Sequence, residues 1–114
     1  MKFSRETELC WSKSLRTDAA YVDGAIWGIR VDAPGEIPAA IAWTDELRRR
    51  IRHEFGYGFG RSSFQKIRLI IARTRDAVSF FVDVENLYAD KLGPLVDRLN
   101  AIADEMMNLS SMEK

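Results

Sequence analysis

The residues best suited to binding a phosphate are three glycines, Gly56, Gly58 and Gly60, and the arginine that follows them, Arg61. A glycine-rich loop binds phosphate when a strand precedes it and a helix N-terminus follows it, because backbone N–H groups then point at the anion. Here a predicted helix precedes the loop and a predicted strand follows it. The loop therefore meets the negative end of a helix dipole, which disfavours a nucleotide-phosphate site.

The same loop has two other interpretations, which are compatible with each other. In the structural one, Gly56 ends the preceding helix in the left-handed conformation, and aromatic side chains of the loop pack under the edge of a sheet. In the functional one, Tyr57 and Phe59 are exposed beside arginines, a composition typical of binding hot spots.

Few other side chains are candidates for catalysis or metal binding. His53 is the only histidine and Cys10 the only cysteine, so a zinc site is not expected. Asp83 and Glu85 lie two residues apart, a spacing that acid–base chemistry could use. Arg68, on the strand predicted to lie opposite, favours a plain cross-strand ion pair instead. The sequence predicts no catalytic residue, no metal and no cofactor.

Positive charge is concentrated in the middle of the chain. Residues 48–75 contain nine Lys or Arg and one acid, whereas residues 1–47 carry a net charge of −3 and residues 76–114 one of −5. The whole chain is neutral, with an isoelectric point near 6.6. Dedicated nucleic-acid-binding domains are usually basic overall, so the sequence favours a local patch that steers an acidic partner.

Two stretches of alternating apolar residues, 67–71 and 78–84, flank a short polar turn at 74–77. This pattern predicts two antiparallel strands with one buried face. The basic residues on the hairpin and its turn are Lys66, Arg68, Arg73 and Arg75.

Apolar residues at helical spacing predict a helix before the glycine loop and another at the end of the chain. The first helix begins either at Pro38 or at Thr44, and in the second case 37–43 would be an edge strand. The last helix begins either at Pro94 or about one turn earlier, near Asn86, with a kink. Arg49, Arg52 and His53 are expected to project from the first helix.

The N-terminal third has the weakest pattern. Residues 3–15 fit either a strand or a helix, and 25–31 alternate as a strand in which Ala25, Trp27, Ile29 and Val31 share a face. Asp23-Gly24 is either a tight hairpin turn or a bulge within a longer strand.

Together these elements predict one α+β domain of 114 residues. The predicted architecture is a four-stranded antiparallel sheet with two helices on one face, in the order ββαββα. It is a permuted ferredoxin-like sandwich, in which an N-terminal strand takes the place of the missing last strand. The alternative has three N-terminal strands, βββαββα.

The functional prediction is a small non-enzymatic binding module, of the adaptor, chaperone or inhibitor type, that uses 48–75 to bind an acidic macromolecular partner. The alternative is nucleic-acid binding through the same arginines, and a homodimer is compatible with both. The predicted contact residues are Arg48, Arg49, Arg52, His53, Tyr57, Phe59, Arg61, Lys66 and Arg68. A cytoplasmic location is expected, since a single cysteine forms no internal disulfide and no apolar N-terminal stretch indicates a signal peptide.

Overall fold

The structure, a computed structural model, describes residues 1–5, 11–14, 21–55 and 66–112. Its strands are β1 (Lys2–Arg5), β2 (Trp11–Ser14), β3 (Tyr21–Asp32), β4 (Lys66–Arg73) and β5 (Ala77–Tyr88). Its helices are α1 (Ile37–Phe55) and α2 (Leu92–Met112), and a short 3-10 turn, Ala89–Lys91, precedes α2.

The sheet has four strand positions. The short strands β1 and β2 share the position at one edge, and β4 forms the other edge. β1 pairs with β3 at residues 29–32, and β2 pairs with β3 at residues 21–24, while β5 occupies the other edge of β3 along nearly its whole length. β4 follows β5, and every pairing is antiparallel. The predicted ferredoxin-like α+β arrangement is confirmed. The element order has the three N-terminal strands of the alternative, and β1 and β2 together fill the position that the four-stranded prediction gave to one strand.

The long strand β3 contains Gly24 and two irregularities of register, between Val22 and Gly24 and between Ala25 and Trp27. Gly24 has a φ of 125°, a conformation that side chains disfavour. A bulge within a longer strand is therefore correct, and a hairpin turn at Asp23-Gly24 is not.

The second irregularity corrects the predicted alternation along β3. Ala25 lies opposite Asp83, whereas Trp27 lies opposite Val82, so Ile26 is an inserted residue without a partner in the ladder. Ile26 and Trp27 both belong to the buried core. Because of this inserted residue, side chains before and after Ile26 alternate out of step. The prediction that Ala25 and Trp27 share a face is therefore wrong.

Helix α1 begins at Ile37, so the alternative of an edge strand at 37–43 is wrong. Thr44 does not cap the helix. Its side chain is buried within it, and its hydroxyl donates a hydrogen bond to the Ile41 carbonyl at 2.9 Å. Helix α2 begins at Leu92, between the two predicted starts, and Pro94 is accommodated in its first turn.

The core lies between the sheet and the two helices. Val78, Phe80, Val82 and Val84 of β5 are buried on the side that faces the helices, as the alternating pattern predicts. α1 packs against β5, and α2 packs against β3 and α1. The other side of the sheet carries Arg68, which is exposed, and Phe81, which is half-buried.

Candidate functional site

Two of the predicted contact residues on α1, Arg48 and Arg49, are paired with acids one turn earlier in the same helix. Arg48 binds Asp45 at 3.0 Å, and Arg49 binds Glu46 at 2.6 Å. Arg50 donates to the same Glu46 carboxylate at 3.1 Å. These hydrogen bonds, first that from Arg49 and then that from Arg50, lower the pKa of Glu46 to about 2. The basic face of α1 is therefore largely neutralised by its own acids.

A second set of contacts ties α1 to α2. Arg98 of α2 donates two hydrogen bonds to Glu54, and this contact raises the pKa of Arg98. Arg50 lies 3.6 Å from Glu105 of α2. Each helix thus supplies one base and one acid to these contacts.

Between the two helices lies an open cleft of about 400 Å³. It is lined by Arg49, Arg50, His53, Glu54, Ile102 and Glu105. His53 is exposed there. The cleft offers both signs of charge and one apolar contact, so its lining does not select for an anion or a cation.

The hairpin carries the other described part of the basic segment. Arg68 of β4 lies opposite Asp83 of β5, and its Nε and Nη2 both donate to Asp83 Oδ2, at 3.0 and 2.5 Å. The Arg68 side chain is 68% exposed and that of Asp83 only 12%. The predicted cross-strand ion pair is therefore present, and it leaves most of the guanidinium in solvent.

Arg73 at the end of β4 and Arg75 in the turn after it differ from the arginines of α1. Both are exposed, and neither forms an ion pair with any residue that the structure describes. Neither was among the predicted contact residues, although the sequence placed both on the hairpin. The signal that distinguishes them is the absence of an acid at cross-strand or helical spacing, since Arg73 lies opposite Val78.

The structure does not bring the predicted residues of α1 and β4 onto one surface. Ile67, on the helix side of β4, is buried, and Arg68 next to it points to the other side of the sheet. Arg48 and Arg49 are exposed on the helix layer, and Arg52 is half-buried there with contacts of its own. The basic segment is thus divided between two sides of the sheet.

Three predicted contact residues, Tyr57, Phe59 and Arg61, lie outside the described residues. For Lys66 the structure gives the backbone, which pairs with Glu85 as the first residue of β4. Cys10 also lies outside the described part of the chain.

Within residues 1–5, 11–14, 21–55 and 66–112, no three His, Cys, Asp or Glu side chains are grouped so that they could hold a metal ion. Neither described helix combines the length and the apolar composition that crossing a membrane requires. No protein family, no curated protein and no solved structure matches the chain.

Proposed function

We propose that this chain is a small binding module, without catalysis of its own, that uses segment 48–75 to hold an acidic surface of a partner protein. The observation that carries the proposal is the unneutralised charge on the β4–β5 hairpin. Arg73 and Arg75 are exposed and make no ion pair within the described part of the molecule. Arg68 bonds to Asp83 through Nε and Nη2 only. An adaptor, a chaperone or an inhibitor would use such a surface.

The neutral total charge favours a partner that is acidic in a limited area. The chain as a whole neither attracts nor repels a distant polyanion, because its acidic and basic residues are equal in number. A local cluster still steers a complementary surface over about one Debye length, roughly 8 to 10 Å. Recognition would therefore depend on where the arginines lie rather than on the net charge.

The arginines of α1 have a secondary part in this proposal. Their ion pairs are exposed, and such pairs are worth little, so a partner carboxylate can exchange with Asp45 or Glu46 at small cost. Tyr57 and Phe59 are the proposed apolar anchors, on the ground of their sequence alone. We also propose a reducing compartment, the cytoplasm, because the chain contains one cysteine.

Affinity capture from the native lysate tests the proposal. Three baits are compared: the unchanged chain, the double variant Arg73→Glu/Arg75→Glu, and Lys2→Glu as a control. Lys2 is exposed and lies on β1, at the opposite edge of the sheet from β4. We expect the unchanged bait and the control to capture the same acidic protein and the double variant to lose it.

Two results would contradict the proposal. Equal capture by the double variant would show that the hairpin arginines are not the contact surface. Capture that disappears after nuclease treatment would favour nucleic-acid binding, and the affinity should then fall steeply as salt is raised.

A further inference from the structure

β4 forms an edge of the sheet. Among the described residues it pairs only with β5, so alternate residues along its outer side present unpaired N–H and C=O groups. The strand has eight residues and no proline. Its side chains are accessible, with Ile70 44% exposed and Ala72 and Arg73 also exposed.

The charge of β4 selects which strand could extend the sheet. The sequence Lys-Ile-Arg-Leu-Ile-Ile-Ala-Arg contains three cations and no acid. A second copy of β4 would add three more cations and no acid to this edge, so it would supply no opposite charge. A strand that carries carboxylates would instead find opposite charge along the edge.

We propose that the outer edge of β4 binds an extended acidic segment of the partner protein, which adds to the sheet as a further antiparallel strand. This inference rests on the proposed function and names its mode of recognition. Main-chain hydrogen bonds to β4 supply affinity, and side chains at alternate positions supply specificity.

The pairing of β4 with β5 indicates what the incoming strand should carry. Asp83 and Glu85 of β5 lie opposite Arg68 and Lys66 of β4. Carboxylates opposite Arg68 and Lys66 on the added strand would continue two ladders in which acid, base and acid alternate. Arg68 has room for one, because only Nε and Nη2 are bonded to Asp83, which leaves Nη1 for a second carboxylate.

An apolar position completes the pattern. Ile70, which is exposed, lies opposite Phe81, which is half-buried, and the two form an apolar pair on this side of the hairpin. An added residue beside Ile70 would extend this pair into an apolar row. An antiparallel segment would therefore carry five residues in a fixed pattern. From its N-terminus these are an apolar residue beside Ile70, any residue, an acid opposite Arg68, any residue, and a second acid opposite Lys66.

Synthetic octapeptides, as long as β4, test this pattern by fluorescence anisotropy. The probe peptide alternates valine and threonine and carries two glutamates two residues apart after an apolar residue. The matched control has the same composition, with only one of the two glutamates moved by one residue, so that the two point to opposite faces of the strand in every register. We expect the probe to bind about tenfold more tightly than the control. In the probe both glutamates can lie opposite cations of β4, whereas in the control only one can.

Backbone N-methylation distinguishes strand addition from simple charge attraction. Two versions of the probe are methylated at one or the other set of alternate residues. Only one set directs its N–H groups towards β4, so one version should lose binding and the other should keep it. Amide hydrogen exchange should also show that alternate residues of β4 become protected when the probe binds.

Protein variants complete the design. Arg68→Gln removes the charge that the proposed acids would face but keeps hydrogen-bond donors for Asp83, so it should weaken probe binding about tenfold without unfolding the domain. Arg73→Glu is the second variant. Because Arg73 lies opposite Val78, on the helix side of the sheet, this change should weaken probe binding less than Arg68→Gln does. Lys2→Glu, on the far edge of the sheet, should leave binding unchanged.

The outcomes separate the two levels of the proposal. If the probe binds but both N-methylated versions bind equally, or if β4 gains no protection, strand addition is wrong and acidic recognition stands. If the probe does not bind while captured partner still depends on Arg73 and Arg75, the mode is again wrong. If neither the probe nor any partner depends on these arginines, the proposed function fails as well.

Discussion

Arg68 and Asp83 form a cross-strand ion pair in which both hydrogen bonds end on one carboxylate oxygen. The pair is asymmetric, because the Asp83 side chain is 12% exposed and that of Arg68 is 68% exposed. Replacing Arg68 by alanine leaves a largely buried carboxylate without its partner, at about 1 to 3 kcal/mol, whereas Asp83→Ala leaves an arginine in solvent. We expect the first change to lower the free energy of urea unfolding more than the second.

A double-mutant cycle gives the strength of this pair. The Arg68–Asp83 coupling should reach about 1 kcal/mol, the upper range for cross-strand pairs. The exposed Arg48–Asp45 pair, with side chains 49% and 51% exposed, is the comparison and should give about 0.3 kcal/mol. Equal couplings would show that the low exposure of Asp83 does not strengthen the interaction.

Asn100 of α2 links the helix to two strands. Its Oδ1 accepts a hydrogen bond from Trp27 Nε1 at 2.8 Å and another from Arg5. Trp27 is 3% exposed, so Asn100→Ala leaves a buried indole N–H without a partner and should cost about 1 to 3 kcal/mol. Asn100→Asp keeps the acceptor oxygen and should retain most of the stability. Thermal or urea unfolding in which both variants lose the same amount would contradict this account.

The hairpin and the helices could be predicted because each depends on a repeated pattern over many residues. The bulge at Ile26 could not, since one inserted residue reverses the strand's parity without breaking its apolar character. The split of the outer strand position between β1 and β2 was also beyond the sequence, because four-residue strands are too short for a period to be distinguished.

The ion pairs of α1 could be predicted from the sequence, although segment 48–75 leaves out the acids that form them. Asp45 and Glu46 lie immediately before Arg48. Helical spacing of three and four residues pairs these acids with Arg48, Arg49 and Arg50, and the sequence carries that signal. Arg68 lies on the opposite side of the sheet from α1. This placement depends on how the helices pack on the sheet, and no local sequence pattern predicts it.

Glu46 makes part of the stability dependent on pH. Its pKa is lowered from 4.5 to about 2 by hydrogen bonds from Arg49 and Arg50. A carboxyl whose pKa is lower in the folded state stabilises above its unfolded pKa, and this contribution is lost as pH falls through the folded value. We expect Glu46→Gln to be less stable than the unchanged chain at pH 7, and the difference to vanish once the pH falls below about 2. The difference should be small because the pair is exposed.

Urea unfolding at a series of pH values measures this difference. Asp97→Asn on α2 is a suitable control, because Asp97 is exposed and forms no ion pair within the described residues. A gap between Glu46→Gln and the unchanged chain that stays constant from neutral to acid pH would show that the ionised carboxylate is not the source of the effect.

Gly35 and Gly93 both have open space where a Cβ atom would be placed. Replacing each by alanine therefore compares the effect of backbone conformation at the two positions without steric crowding. Gly35 has a φ of +76°, and alanine there should cost about 1 to 2 kcal/mol for the left-handed conformation alone. Gly93 lies in the first turn of α2, where alanine should stabilise by about 0.5 kcal/mol by restricting the unfolded chain. Opposite signs in the free energy of unfolding are the expected result. If Gly35→Ala were neutral, the turn between β3 and α1 would tolerate a right-handed conformation at residue 35.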